Sequence, residues 1–413
     1  MDARQSQRNV LTAAAAGCIG FTGFTLVMPF LPFYIAELGT TDLSEIAMWT
    51  GLTLGATPTV TAFVAPLWGR IGDRYGSKLL VIRSLIAFVL TNTAMAFVTA
   101  PWQLLALRAL LGLFAGYGAL TISMAAESVP RARMAHAIGM VQTGHRLGPA
   151  FGPVIGGLLA PLVGLRNAFL VASAFYAAAM LLILVVYVEP RAGKEPRKMR
   201  GGREVFAQIL KLPGFALALM MIFGLQTVDR SFGPVLPLYV SQVGVEAARV
   251  PIVSGVLFSL SAVSAAFGAF LAGRLLQRQS AKRVIVVGTL TAAVAMFTIV
   301  IAPSLWLVAL SMVVIGAAIG TATTTVYAVA GSLLPADAHA TGFGLMTTAN
   351  LMGLAISPVV AGFIGGSGLR IVFVADVFLL LVLGAIAAKR MASPPGSSAA
   401  LLDGARADAS PEA

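Results

Sequence analysis

Apolar runs about as long as a lipid bilayer is thick recur along this chain of 413 residues. A hydrocarbon core of ~30 Å takes about 20 helical residues to cross. Six such runs cover 11–38, 48–67, 79–98, 104–126, 138–159 and 169–188, and six more cover 215–240, 253–272, 284–301, 305–333, 343–364 and 371–388. Only helices and closed barrels satisfy every backbone group in lipid, and continuous apolar runs lack the alternation of barrel strands. The expected fold is all-α and integral to the membrane, with 12 transmembrane helices. Apolar residues make up 58% of the chain and charged residues 11%, against about 25% charged in a soluble protein.

Polar segments divide the runs into two sets of six. Residues 189–211 open with EPRAGKEPRKMRGGR and read as a solvated cytoplasmic linker between a first bundle, 1–188, and a second, 212–390. Residues 391–413 are small and polar and read as a disordered cytoplasmic tail. With the termini placed in the cytoplasm, 22 of the 28 Lys and Arg residues fall on the cytoplasmic side. Three (Arg166, Arg249 and Arg370) fall outside, and Arg108, Arg146 and Arg230 lie within spans. Basic residues in short loops set orientation, so both termini are expected in the cytoplasm. The net charge of +12 is then a topology signal and not a nucleic-acid footprint. Very short loops suit a bacterial inner membrane. The single cysteine, Cys18, excludes an internal disulfide, and the three histidines form no ligand-spaced pair, so neither metal nor cofactor is expected.

The second six runs repeat the first at an offset of 204 to 205 residues. Pro29, Pro32, Tyr34 and Gly39 align with Pro234, Pro237, Tyr239 and Gly244. Gly112 and Gly116 align with Gly316 and Gly320, and Arg166 and Phe169 with Arg370 and Phe373. A shift of six spans preserves membrane orientation, so the repeat is parallel. Two like bundles around a central axis leave a cavity between them, an arrangement common among secondary transporters.

The loop after the second span reads Gly69-Arg-Ile-Gly-Asp73-Arg74-Tyr-Gly76-Ser-Lys78. This resembles the signature G-x-x-x-D-[RK]-x-G-x-[RK] of the major facilitator superfamily, and the resemblance covers residues 11–389. It implies a charge clasp in which Arg74 and Lys78 bind groups across the domain interface in one conformation. The second-half copy departs, with Gln277 for the acid and Ser280 for the glycine. Span 5 carries Gly139, Gly148, Gly152, Pro153, Gly156 and Gly157, similar to that superfamily's antiporter motif. Read from spacing alone, Gly144, Gly148, Gly152 and Gly156 line one helix face and permit close helix approach. The resemblance adds a direction, efflux. Arg108 with Gly112 and Gly116 resembles the family's span-4 motif, in which a buried arginine is linked to proton transfer.

Ionisable groups at membrane depth are costly and mark functional sites. Those in this chain are Arg108, His145, Arg146, Asp229, Arg230 and Asp376, with Glu127 at the cytoplasmic end of span 4. Asp229, near mid-span, is the leading proton carrier. It could equally be a structural partner of Arg108 or Arg146 across the interface, and adjacent residues on a helix need not pair. Asp376 ranks low because span 12 is peripheral in the superfamily. Phe24, Tyr34, Tyr117, Gln142, Gln226, Tyr239 and Asn350 are the candidate cavity lining, on spans that the resemblance places around the substrate. With the efflux direction and the proton coupling that the resemblance implies, the expectation is a monomeric, proton-driven exporter of small amphipathic molecules, working by alternating access. The competing reading is a transporter of one defined solute such as a siderophore, an amino-acid derivative or a sugar. An intramembrane enzyme or sensor would want a nucleotide loop, an H-E-x-x-H or paired cysteines, and none occurs in the sequence.

Overall fold

The computed structural model describes residues 3–130, 133–189, 209, 212, 214–301, 304–334 and 339–391. The side chains of Gly69, Arg70, Asp73 and Arg74 lie outside what it describes, as do most of the linker 189–211 and all of the tail beyond Met391. The described residues are helical and contain no strand. In the first half the helices are α1 (Ala3–Leu26), α2 (Leu31–Glu37), α3 (Leu43–Tyr75), α4 (Ser77–Met95), α5 (Pro101–Leu113), α6 (Tyr117–Glu127), α7 (Met134–Val163) and α8 (Leu165–Val186). In the second half they are α9 (Phe215–Gln242), α10 (Val250–Leu276), α11 (Ala281–Ile301), α12 (Leu305–Ser332), α13 (His339–Ser367) and α14 (Leu369–Arg390).

Twelve spans were expected, and 11 segments are long and apolar enough to cross a membrane among the described residues. The expected second span falls within the 33-residue α3, part of whose side chains lie outside the description. Two expected spans are not single helices. The first breaks between Leu26 and Leu31, where Pro29 and Pro32 withdraw backbone donors. The fourth breaks at Phe114–Gly116, with Gly116 at φ 117°, a left-handed conformation open to glycine. Their second-half counterparts, α9 and α12, run unbroken.

Each half has its own apolar core, one spanning Val10 to Tyr187 and the other dominated by residues from Ile209 to Met391. The repeat is visible in side-chain bonds. Tyr34 donates its hydroxyl to the Met95 carbonyl at 2.6 Å, and Tyr239 donates to the Ile299 carbonyl at 2.8 Å. Each ring packs on an aligned phenylalanine, Phe169 or Phe373, with centroids 4.9 and 5.1 Å apart. A hydroxyl so placed satisfies a carbonyl at a helix end that lipid could not. Both tyrosines, expected in the cavity lining, are therefore buried tethers inside their bundles.

The halves meet through small residues at the end of the molecule away from the termini. A Cβ on Gly51 of α3 would overlap the Pro358 carbonyl of α13, and one on Gly55 would lie 2.6 Å from the Ala355 carbonyl. Across the molecule, Gly157 of α7 faces the Pro251 carbonyl of α10, and Gly255 of α10 faces the Pro153 carbonyl. With so little apolar drive between helices in lipid, such close backbone contact is what holds two bundles together.

Candidate functional site

Between the halves lies a cavity of about 380 Å³. Its first-half wall is Phe21, Phe24, Thr25 and Met28, then His145, Arg146, Pro149 and Pro153 of α7. The second-half wall carries Gln226, Asp229 and Arg230 of α9, with Phe258 and Ser261 of α10 and Thr323 and Thr324 of α12 among its other residues. The walls are mostly apolar, with a few convergent polar groups, as small-molecule sites generally are.

Glycine spacing decides how α7 presents its residues. Gly144, Gly148, Gly152 and Gly156 press on α1, where added Cβ atoms would overlap Ala14, Phe21, Thr25 and Leu26. With that face fixed against α1, His145 and Arg146 are turned toward the cavity. Gly139 has open space around it and takes no part in this packing. The antiporter-motif residues thus divide: Gly148, Gly152 and Gly156 serve packing within the first half, while Pro153 and Gly157 meet the second half.

The charges separate into three environments. Asp229 and Arg230 pair directly, Nε to Oδ2 at 3.0 Å, each about 30% exposed. Sequence reasoning had looked for Asp229's partner elsewhere. The arginine side chain is long enough to wrap back over the ~100° between neighbours on a helix. His145 Nε2 is 3.0 Å from Thr121 Oγ1, and its ring lies 4.7 Å from Phe21. Arg146 is exposed in the cavity, and no carboxylate pairs with it among the described residues. Arg108 is not at the cavity: it is buried in the first bundle, with Tyr176 in electrostatic reach. Its Nε and Nη2 have no hydrogen-bond partner among the described residues.

Four other expected residues also stand apart from the cavity. Tyr117 is buried, donates its hydroxyl to the Ala16 carbonyl, and packs on Phe21 from behind the wall. Gln142 and Asn350 are not among the lining residues, and Glu127 accepts a hydrogen bond from Ser77 at 3.0 Å. Phe24 and Gln226 do line it. In the loop motif, Gly76 has φ 95° and the Glu189 carboxylate lies against it. Lys78 donates to the Tyr187 carbonyl at 2.6 Å, capping the end of α8 within its own half. Gly69, Asp73 and Arg74 have side chains outside the described set.

Asp376, ranked low from sequence, is 5% exposed and accepts a 2.6 Å hydrogen bond from Ser231, the residue after Arg230. The missed signal was the repeat: Asp376 aligns with Ala172, so one half carries a polar contact that the other lacks. Asp376→Asn, which keeps an acceptor for Ser231, is expected to change stability by less than about 1 kcal/mol. Asp376→Lys places an unpaired charge there and is expected to lose about 3–5 kcal/mol. Thermal melting in detergent reads both, and a Lys variant as stable as the parent would show that the site admits water.

Paired bundles of membrane-length apolar helices with a cavity between them are an arrangement common among secondary transporters. A family profile described as Major Facilitator Superfamily matches residues 13–278 and 251–410. The chain belongs to the major facilitator superfamily. It is 33% identical over 313 residues to Multidrug resistance protein MdtG of Salmonella typhimurium, covering 75% of this chain and 77% of that one. It is 32% identical over 322 residues to MdtG of Enterobacter lignolyticus, covering 77% of each. Among solved structures, a bacterial homologue of the human lysosomal transporter Spinster superposes with a TM-score of 0.78 at 18% identity, over 96% of this chain and all of that one. The nucleoside transporter NupG superposes at 0.74 with 14% identity, over 92% of this chain and all of that one.

Proposed function

We propose that this protein exports small amphipathic molecules across the bacterial inner membrane in exchange for protons, by alternating access of the central cavity. The observation that carries this reading is the Asp229–Arg230 pair set in a largely apolar cavity between the halves. Apolar walls suit amphiphiles, and a carboxylate beside an arginine can trade that partner for a proton. Relatives named as multidrug resistance proteins support the same substrate class. With both termini in the cytoplasm, as the basic loops indicate, the sealed end is external and the cavity belongs to the inward-facing state. Proton release from Asp229 to the cytoplasm restores the pair and readies the cavity for substrate. Protonation from outside breaks it after substrate has left. The energy source is the proton gradient, with no cofactor and with the monomer as the working unit. Rocking of 1–188 against 212–390 about the linker 189–211 supplies the change of access.

The second reading is a transporter of one anionic solute, favoured by Arg146 in the cavity with no carboxylate partner among the described residues. Efflux of fluorescent amphiphiles from a pump-deficient bacterial host, with and without a protonophore, tests the first. Export that collapses on adding the protonophore is expected. Export indifferent to it removes the proton, and retention of every amphiphile alongside movement of a small anion favours the second reading.

A further inference from the structure

The break between α5 and α6 frees backbone carbonyls at membrane depth, where each unsatisfied group is costly. Three consecutive carbonyls are taken by two side chains. The Trp68 indole N–H donates to the Leu113 carbonyl at 2.7 Å. Arg83 Nη2 donates to the Phe114 carbonyl at 2.9 Å and to the Ala115 carbonyl at 3.4 Å. The guanidinium lies over the indole, 3.4 Å from its centroid, and 5.7 Å from the Phe114 ring. An arginine that sequence reasoning counted as a cytoplasmic topology marker is thus stacked inside the first bundle.

The internal repeat supplies the control. At the same offset, Trp68 aligns with Ala272 and Arg83 with Val287, neither of which has a side-chain donor. Gly116 aligns with Gly320, yet α12 continues through that glycine. The glycine permits a break in both halves, and the helix breaks in the half that has the clasp.

What the break carries is α6. Tyr117 bonds the Ala16 carbonyl and packs on Phe21, and Thr121 bonds His145. Phe21 and His145 are cavity wall. Two of Arg83's donor atoms, Nε and Nη1, are buried with no partner among the described residues.

We propose that Phe114–Gly116 is a hinge, that Trp68 and Arg83 are the clasp that sets it, and that α6 turns on it to carry Phe21 and His145 as the cavity changes access. Trp68 and Arg83 are positioning residues and touch neither substrate nor proton. The proposal rests on the transporter reading above.

The test uses the full chain in lipid nanodiscs and proteoliposomes. Spin labels at Ala106→Cys and Ala119→Cys, in a Cys18→Ser background, flank the hinge by 13 residues, a straight-helix distance of about 20 Å. The distance is measured in the parent and after Gly51→Leu, which wedges the external contact open and needs no substrate. A shift of at least about 3 Å, some two rises of helix, is expected, and an unchanged distance overturns the hinge. Arg83→Leu and Trp68→Phe are expected to lower amphiphile transport about tenfold, the loss of a hydrogen bond from a charged or aromatic donor, with the amphiphile Kd in detergent within about twofold. Arg83→Lys, which keeps charge but not the fork, should rescue only in part. Parental transport in Arg83→Leu overturns the clasp. Failure of the parent to move any amphiphile while the distance still shifts would sink the substrate reading and leave the hinge standing.

Discussion

Asp229→Asn is expected to abolish proton-driven efflux while the protein reaches the membrane at parental level. Asparagine matches the carboxylate in shape and cannot carry a proton. The pair with Arg230 is about 30% exposed on each side, and ion pairs that water reaches contribute about 0–1 kcal/mol. Losing it leaves the fold essentially intact, so a lost transport rate reports on mechanism. Uptake of a fluorescent amphiphile into energised everted vesicles gives the rate, and detergent melting gives the stability. Normal proton-driven efflux by the Asn variant removes Asp229 from the coupling mechanism.

Gly51→Leu is expected to hold the external end open. The site touches Pro358 and Gly362 of the other half, so the new side chain opposes closure more than it disturbs either apolar core. Overpacking costs about 1–3 kcal/mol, and ~3 kcal/mol shifts a two-state population by roughly two decades. Transport should fall by about fivefold to a hundredfold on that arithmetic. A cysteine at the cavity position Met28, in a Cys18→Ser background, should become reactive to an impermeant maleimide added from outside. Unchanged labelling and rate would mean that the α3–α13 contact is not the external seal.

The spans, the repeat and the family were legible because they depend on composition and spacing. The two breaks were not. Gly116 and Gly320 look alike in sequence, and so do Pro29 and Pro234, yet one of each pair lies in a broken span. For the fourth span the difference lies in Trp68 and Arg83, far along the chain from the glycine they affect. Of the seven residues expected to line the cavity, two do so, Phe24 and Gln226. Which face of a helix meets the cavity depends on its partner, which explains why Phe24 and Gln226 fell inside and Gln142 and Asn350 did not. Tyr34 and Tyr239 could have been recognised as tethers from their alignment alone. A substrate wall differs between halves, whereas a fold-maintaining bond is kept in both.

The seating of α1 on the glycine face of α7 also sets an order of assembly. Thr25 of α1 lies against Gly148, 123 residues further along the chain. At a synthesis rate of about 5–20 residues per second, α1 is inserted roughly 6–25 seconds before its main partner exists. Asn9, whose side chain bonds the Val188 backbone, waits longer still, for residues 179 positions later. During biogenesis the first helix is a lodger in the membrane without a home, and the first half closes only when its fifth and sixth spans arrive.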